Sequence, residues 1–451
     1  MMEGSKTAFV LSRNVVWYGL MVFFTATCLS LPYFGYIDTY GYILLSLLLA
    51  LFVEYLAIIR YVPEQTKSIE RFTYVAVGII AIVFLGAKPL FSTDVYRYIW
   101  DGGLSVHGIN PYIIKPIDVT EPALLLSGLL AYQGFPTEYT IYPPLAQGIF
   151  AISYCLYSLL GLPGAKAVFA LPLFLLWILM RKHLAPKFQI LFILNPLLLF
   201  EGFNGAHVDF WAILFLVYAW YSLNKKSYTL SALALSAAVL TKIYPMIFVP
   251  LFAWHIYKNS NIKNAARFSF LCGGIIMLAY LPLINHLAFI IERYRAWVSD
   301  MQFNAALYSI FKNVFSYLVH NPVQWAQWAS AGCIVILITA LTRVRLTAAV
   351  MVATAVVFLS FSSVVYPWYT AVLVPFVFLL QDSRQSKTLL YLLALFQALV
   401  TSTYINEVVY TATLHGSNAI NAISILEYTF LYGVISWYVV SQCAQAKKAK
   451  N

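Results

Sequence analysis

Asp94 and Asp101 stand seven residues apart in Phe91-Ser-Thr-Asp-Val-Tyr-Arg-Tyr-Ile-Trp-Asp-Gly-Gly-Leu-Ser-Val-His-Gly-Ile-Asn-Pro-Tyr112, with Arg97 and Tyr98 between them. If Ser92 or Thr93 caps a helix, Asp94, Arg97 or Tyr98, Asp101 and Ser105 recur at steps of three and four and share one face. The helix is expected to stop at Gly102-Gly103 or at Gly108, and Asn110-Pro111 forces an extended turn after it. An aspartate near a helix start beside an arginine stays ionised at neutral pH and can take a proton from a hydroxyl. The bland alternative is a solvated loop helix whose acids favour its N-terminal dipole and pair with Arg97.

Three further groups carry chemistry. Glu201-Gly-Phe-Asn-Gly-Ala-His-Val-Asp209 brings Glu201, Asn204, His207 and Asp209 together. His207 and Asp209 are too close for a helical metal pair at four-residue spacing, but a turn can aim both inward, and a divalent cation shared with Asp94 or Asp101 is conceivable. Lys242, between two apolar runs, is either a snorkelling cation or a phosphate ligand. Arg293 and Arg295 are candidates for the same task, because guanidinium grips phosphate oxygens in a fork. Tyr366, Trp368 and Tyr369 suit a sugar or lipid groove, or an interfacial aromatic belt.

What positions these groups follows from composition. A chain that is 62% hydrophobic and 10% charged, with mean hydropathy +0.79, falls far below the roughly 25% charge of soluble domains. Its apolar runs of about 17 to 20 residues match a bilayer crossed as helix. The expected fold is an all-α polytopic bundle forming one integral membrane domain, with no internal repeat and no separate soluble domain. The net charge of +11 resides mostly in short links, a topology signal and not a nucleic-acid groove. The five cysteines are dispersed, mostly in apolar runs, and imply core thiols.

Expected spans lie near 15–34, 41–60 and 72–90. The basic link Arg60 to Arg71 is placed in the cytoplasm, so 91–142 becomes a long outer loop carrying the first motif. Basic links at Arg181 to Lys187, Lys225-Lys226, Lys258 to Arg267, Arg343 to Arg345, Arg384 to Lys387 and Lys447 to Lys450 give an independent check. The parity closes if 142–160 is an outer re-entrant or interfacial segment ahead of a span at 165–180. Spans near 188–200 and 210–224 follow, and then 228–257 forms a tight hairpin broken near Lys242 to Pro245. A second outer loop covers 285–323, and later spans fall near 325–342, 346–364, 367–381, 388–405 and 424–442. The acidic loops at 91, 136, 201, 285 and 406 come out on the outer side, the first three around one cavity. Both termini are then cytoplasmic.

The ordered set Ser-x-Asp-x-x-Arg-Tyr-x-Trp-Asp-Gly, Gly-x-Asn110-Pro-Tyr, Tyr142-Pro-Pro, Asn195-Pro with Glu201, Asn204-Gly-x-His207-x-Asp209, Lys242-x-x-Pro, Arg293-Tyr, Phe303-Asn and Pro367-Trp-Tyr resembles bacterial GT-C glycosyltransferases. The relatives in question are the polyprenyl-phosphate-mannose-dependent alpha-mannosyltransferases of cell-envelope glycolipids. The resemblance runs over about 88–376 and implies a bundle of roughly 12–14 transmembrane helices in the cell inner membrane. It also implies an outer active site, a polyprenyl-phosphate-linked sugar as donor, mannose as first choice, a lipid or glycan acceptor, and direct displacement with inversion. Asp94 takes the role of general base by that resemblance, and Arg97, Tyr98, Asp101, Asn110, Tyr142, Glu201, Asn204, His207, Asp209, Lys242, Arg293, Arg295, Tyr366, Trp368 and Tyr369 are substrate-binding candidates. Tyr366 departs from the histidine expected before Pro-Trp-Tyr. No Gly-rich nucleotide loop is present and no cofactor is demanded by a motif. The rival readings are a lipid-linked sugar flippase or polysaccharide transporter, which should carry charges on both sides of a central path and need no acid in an outer loop, and a non-catalytic membrane scaffold.

Overall fold

A computed structural model of the chain describes residues 2–434, apart from 35–36, 64–66, 122–123, 125–127, 133, 383–384, 406–407 and 409–425. Most of the expected loop at 406–421, the last span beyond 434, Cys443 and the basic stretch at 447–450 lie outside the described residues.

Leucine, isoleucine, valine, alanine and phenylalanine fill runs too long for a soluble core helix, and in hydrocarbon only a helix satisfies every backbone amide within one segment. Among the described residues the fold is accordingly all-α. The only ladder-like pairing there is an isolated bridge, Phe303 with Val364. Among the described residues six helices are long and apolar enough to cross a membrane: Arg13–Phe34, Tyr40–Tyr61, Lys67–Gly86, Pro144–Arg181, Ile262–Asp300 and Pro322–Thr342. A seventh crossing arises if the pair Pro186–Ile193 and Pro196–Gly205, bent by 50°, counts as one, and Tyr228–Thr241, Ala348–Phe361 and Pro367–Phe378 are shorter apolar helices. Against the 12–14 helices expected, six to seven among the described residues meet the length and apolarity of a crossing. Outer faces carry apolar side chains as exposed as Phe270 (80%) and Ile82 (73%), surface that only lipid or protein would cover.

Three features of these segments matter for the site. The motif helix runs Asp94–Val106 straight through Gly102-Gly103 and ends at Gly108, whose φ is +72°. Gly102 is there for closeness: a Cβ on it would collide with the backbone carbonyl of Phe150. Gly102→Ala is expected to cost about 1–3 kcal/mol as an overpacked contact, visible as a lower melting temperature of the purified protein.

The second is that 144–181 is a single helical element folded back at Gly161 (φ 68°, ψ −159°). Ser153 Oγ donates to the Ala165 carbonyl at 3.3 Å, whereas twelve residues of straight helix would separate them by about 18 Å. Tyr98 stacks on Phe150 at 4.5 Å and leans on Phe169 at 5.1 Å, so the two arms run side by side beneath the motif helix. The second arm then runs antiparallel along Lys67–Gly86, with Lys166 at the Phe84 carbonyl and Trp177 against Tyr74 at 5.4 Å.

The third is the expected outer loop 285–323. It is largely helical, with Leu287–Asp300 continuing from Ile262–Tyr280 through a short 3-10 turn, followed by Leu307–Ser316. The hairpin at 228–257 breaks where its lysine and proline predict, between Tyr228–Thr241 and Val249–Asn259.

Candidate active site

The backbone leading to Asp94 is tied down before the motif helix begins. Lys166, fully buried, donates from Nζ to the carbonyls of Phe84 at 2.5 Å and Ala87 at 2.8 Å, supplying donors that a helix C-terminus lacks. Asn204, also fully buried, donates from Nδ2 to the Lys88 carbonyl at 3.0 Å and accepts from Leu90 N–H at 3.0 Å. Ser92 Oγ then accepts the Asp94 N–H at 3.3 Å. Asn204 thus positions the acid's backbone.

Glu201 and Asn204 lie in a π-turn, Phe200–Gly205, closed by Ala206 in the left-handed region at φ 55°. Such wide turns recur at functional sites because they re-aim side chains. Here the turn sends Glu201 and His207 to the same point, and at Gly205 even a Cβ would crowd both of them.

His207 is sandwiched between charges. Its Nδ1 lies 3.5 Å from Asp94 Oδ2 and its Nε2 lies 3.1 Å from Glu201 Oε2. Neither nitrogen meets its carboxylate in the line of a good hydrogen bond, so charge attraction dominates the pairing. The imidazole stacks on Trp368 at 3.8 Å, Trp368 on Tyr366 at 4.5 Å, and Tyr366 on Phe303 at 4.5 Å. Tyr366 is therefore a rung in an aromatic ladder behind His207. Tyr404 donates to Glu201 Oε1 at 2.8 Å and stacks on Phe91 at 4.6 Å.

Burial lowers the imidazole pKa, but Asp94 and Glu201 outweigh it and push His207 up to about 9. Burial likewise raises the Asp94 carboxyl, and His207, the Lys242 charge and the Tyr98 hydroxyl bring it below the usual carboxylate range. Asp94 is thus an anion and His207 a cation at neutral pH. A raised histidine pKa adds stability that is full below the unfolded value of 6.5 and is lost as pH climbs through about 9. The melting temperature is expected to fall across that window, with roughly 3 kcal/mol at stake, and His207→Gln should flatten the slope.

The polar face foreseen for the motif helix divides in two. Tyr98 donates to Asp94 Oδ2 at 3.3 Å and accepts from the Tyr142 hydroxyl at 3.4 Å, which leads to the cavity. Arg97 and Asp101 point away from it. Their side chains are 8% and 0% exposed, paired at 2.8 Å, and Arg97 also donates to the carbonyls of Phe135 at 2.6 Å and Glu138 at 2.9 Å. Burial raises the Asp101 carboxyl despite Arg97. This pair clamps the loop at 135–138 over the motif helix. Asn110 accepts the Tyr112 N–H at 3.0 Å, and Tyr112 in turn donates to the Tyr142 carbonyl at 2.7 Å, so its influence on the cavity is indirect.

Lys242 Nζ lies 3.0 Å from Asp209 Oδ2, the lysine side chain 16% exposed and the aspartate 2%. The ammonium sits 5.3 Å from the ring centre of Tyr142 and 5.0 Å from that of Tyr369. These three residues wall a cavity of about 260 Å³ together with Tyr294, Trp297 and Tyr308. Asp94 stands one tyrosine pair behind this wall, its side chain 23% exposed. The cavity shares Ile243, Tyr244, Ile334 and Phe358 with an apolar groove of about 1410 Å³.

Arg293 and Arg295 do not line that cavity; Tyr294 between them does. Arg293 pairs with its exposed neighbour Glu292 at 2.8 Å, and Arg295 is exposed. Tyr294, Lys166 and Tyr404 escaped the sequence reading. The readable signals were an ionisable residue inside an apolar run for Lys166 and the helix phase of Arg-Tyr-Arg for Tyr294.

The residues do not fit the conceivable divalent cation. Among the described residues no group of three His, Cys, Asp or Glu side chains is arranged to hold a metal, Asp101 is committed to Arg97, and both ring nitrogens of His207 face carboxylates.

No curated protein and no solved structure matches the chain. Residues 22–258 match the MptA_B family, described as alpha-(1->6)-mannopyranosyltransferase, N-terminal domain, a stretch that holds the motif helix, the π-turn, His207, Asp209 and Lys242. With more than half of its length in that match, this polytopic membrane chain belongs to the alpha-(1->6)-mannopyranosyltransferase family and is a glycosyltransferase.

Proposed function

We propose that the chain transfers mannose from a polyprenyl phosphate carrier to a hydroxyl of an envelope lipid or glycan, by direct displacement on the extracytoplasmic side of the cell membrane. The observation that carries this reading is the adjacency of an ionised, partly open Asp94 to a lysine-bearing cavity that continues into an apolar groove. One end of such a site suits an acceptor hydroxyl, the middle a sugar phosphate, and the groove an isoprenoid tail.

Asp94 accepts the acceptor's proton as that oxygen bonds to the anomeric carbon. The bond from this carbon to the phosphate oxygen breaks, and polyprenyl phosphate departs with the electron pair. Lys242 meets the charge that develops on the departing oxygen, where a fixed cation in a dry site acts most strongly. His207 keeps Asp94 ionised and aimed. A single displacement inverts the anomeric carbon, so an alpha product requires a beta-configured donor.

Support for the outer side comes from the basic links and from the second arm of 144–181, which returns along Lys67–Gly86 toward the basic end of that helix. A transporter reading is disfavoured because Asp94, Glu201, His207 and Asp209 converge around the motif helix and the π-turn. The purified protein should be given a panel of polyprenyl-phosphate sugars, a nucleotide-linked mannose and envelope lipid acceptors. Consumption of the polyprenyl-phosphate mannose alone is the expected result; use of the nucleotide sugar would overturn the donor assignment.

A further inference from the structure

Beyond the catalytic end, the apolar groove has a second, charged end. It shares Trp254, Thr342 and Arg343 with a pocket of about 370 Å³ that His255, Lys258, Arg343 and Arg345 also line. Along the helix Pro322–Thr342, the distance from Gln327 at the catalytic cavity to the Arg343 cap is sixteen residues, or about 24 Å. Cavity and groove together therefore span most of a bilayer's hydrocarbon.

The charges at this far end are unbalanced. The sequence holds no aspartate or glutamate from 210 to 291 or from 301 to 381, which covers every residue that walls the groove. No described carboxylate forms an ion pair with Lys258, Arg343 or Arg345. Lys258 instead lies over the rings of Trp254 at 5.1 Å and Tyr257 at 5.7 Å, the arrangement of a cation at a membrane interface.

We infer that this end binds an anionic phospholipid from the leaflet facing the basic loops, its phosphate held by Lys258, Arg343 and Arg345 and one acyl chain lying in the groove. Charge complementarity selects an anionic head, and the groove continuous with the pocket selects a lipid over a soluble anion. The bound acyl chain would complete a wall of the same groove that opens to the catalytic cavity, from the opposite membrane face.

The test is lipid retention by the intact, purified chain in nanodiscs of equal phosphatidylglycerol and phosphatidylcholine, read by native mass spectrometry. Selective retention of phosphatidylglycerol is expected. Each of Lys258→Ala, Arg343→Ala and Arg345→Ala should weaken it about fivefold. Val335→Trp, an exposed groove position, should reduce retention while leaving those cations in place. Equal retention of both lipids, no response to the three alanines, or displacement of the lipid by millimolar inorganic phosphate would overturn the inference. Because the readout is a bound lipid and not transfer, its failure leaves the proposed reaction standing, and the reverse holds too.

Discussion

Asp94→Asn is expected to lower the single-turnover rate of transfer by about 10²–10⁴-fold, the range for a lost general base, while the donor still binds. The amide preserves size and the contact with the Tyr98 hydroxyl but cannot accept the acceptor's proton. His207 retains Glu201 at 3.1 Å, so the fold should persist, with a His207 pKa lower than in the parent because one of its two anions is gone. A variant that binds donor and fails to turn over separates a catalytic acid from a structural one. A variant that transfers at the parent rate would move the base elsewhere, and the buried, lysine-paired Asp209 would be the next residue to test.

Lys242→Met carries the second large effect, with two components to separate. Removing the ammonium strands a 2%-exposed Asp209, and an uncompensated buried charge costs about 3–5 kcal/mol. It also removes the cation facing the departing phosphate, a loss of about 10²–10³ in rate by analogy with other fixed charges of this kind. Lys242→Met combined with Asp209→Asn should recover most of the melting temperature and none of the rate. Recovery of both would make Lys242 a structural counter-ion and leave the departing phosphate without its assigned partner.

The sequence was most informative where one residue type admits few environments. Long apolar runs have a single backbone solution in a bilayer, which is why an all-α polytopic chain was legible. Lys242 and Pro245 between short runs likewise marked a real break. Periodicity failed where a side chain's direction depends on what packs beside it. Asp94 and Asp101 recur at helical spacing, yet Gly102 lets the Phe150 backbone approach and the helix rolls Asp101 toward the 135–138 loop. Arg293 and Arg295 looked the better phosphate ligands by chemistry, but the phase of their helix delivers Tyr294 to the cavity. The Asp94, His207 and Glu201 triplet spans more than a hundred residues of sequence, and the π-turn that joins it has no compositional signature. Tyr404, which touches both Glu201 and Phe91, lies farther still.

The most direct measurement is one turnover of the purified protein on a beta-configured mannosyl polyprenyl phosphate with an envelope lipid acceptor. The account predicts one free polyprenyl phosphate for each alpha-linked mannose formed, and neither product from Asp94→Asn with donor bound. A beta-linked product, or release of the carrier phosphate at an unchanged rate in that variant, would contradict it.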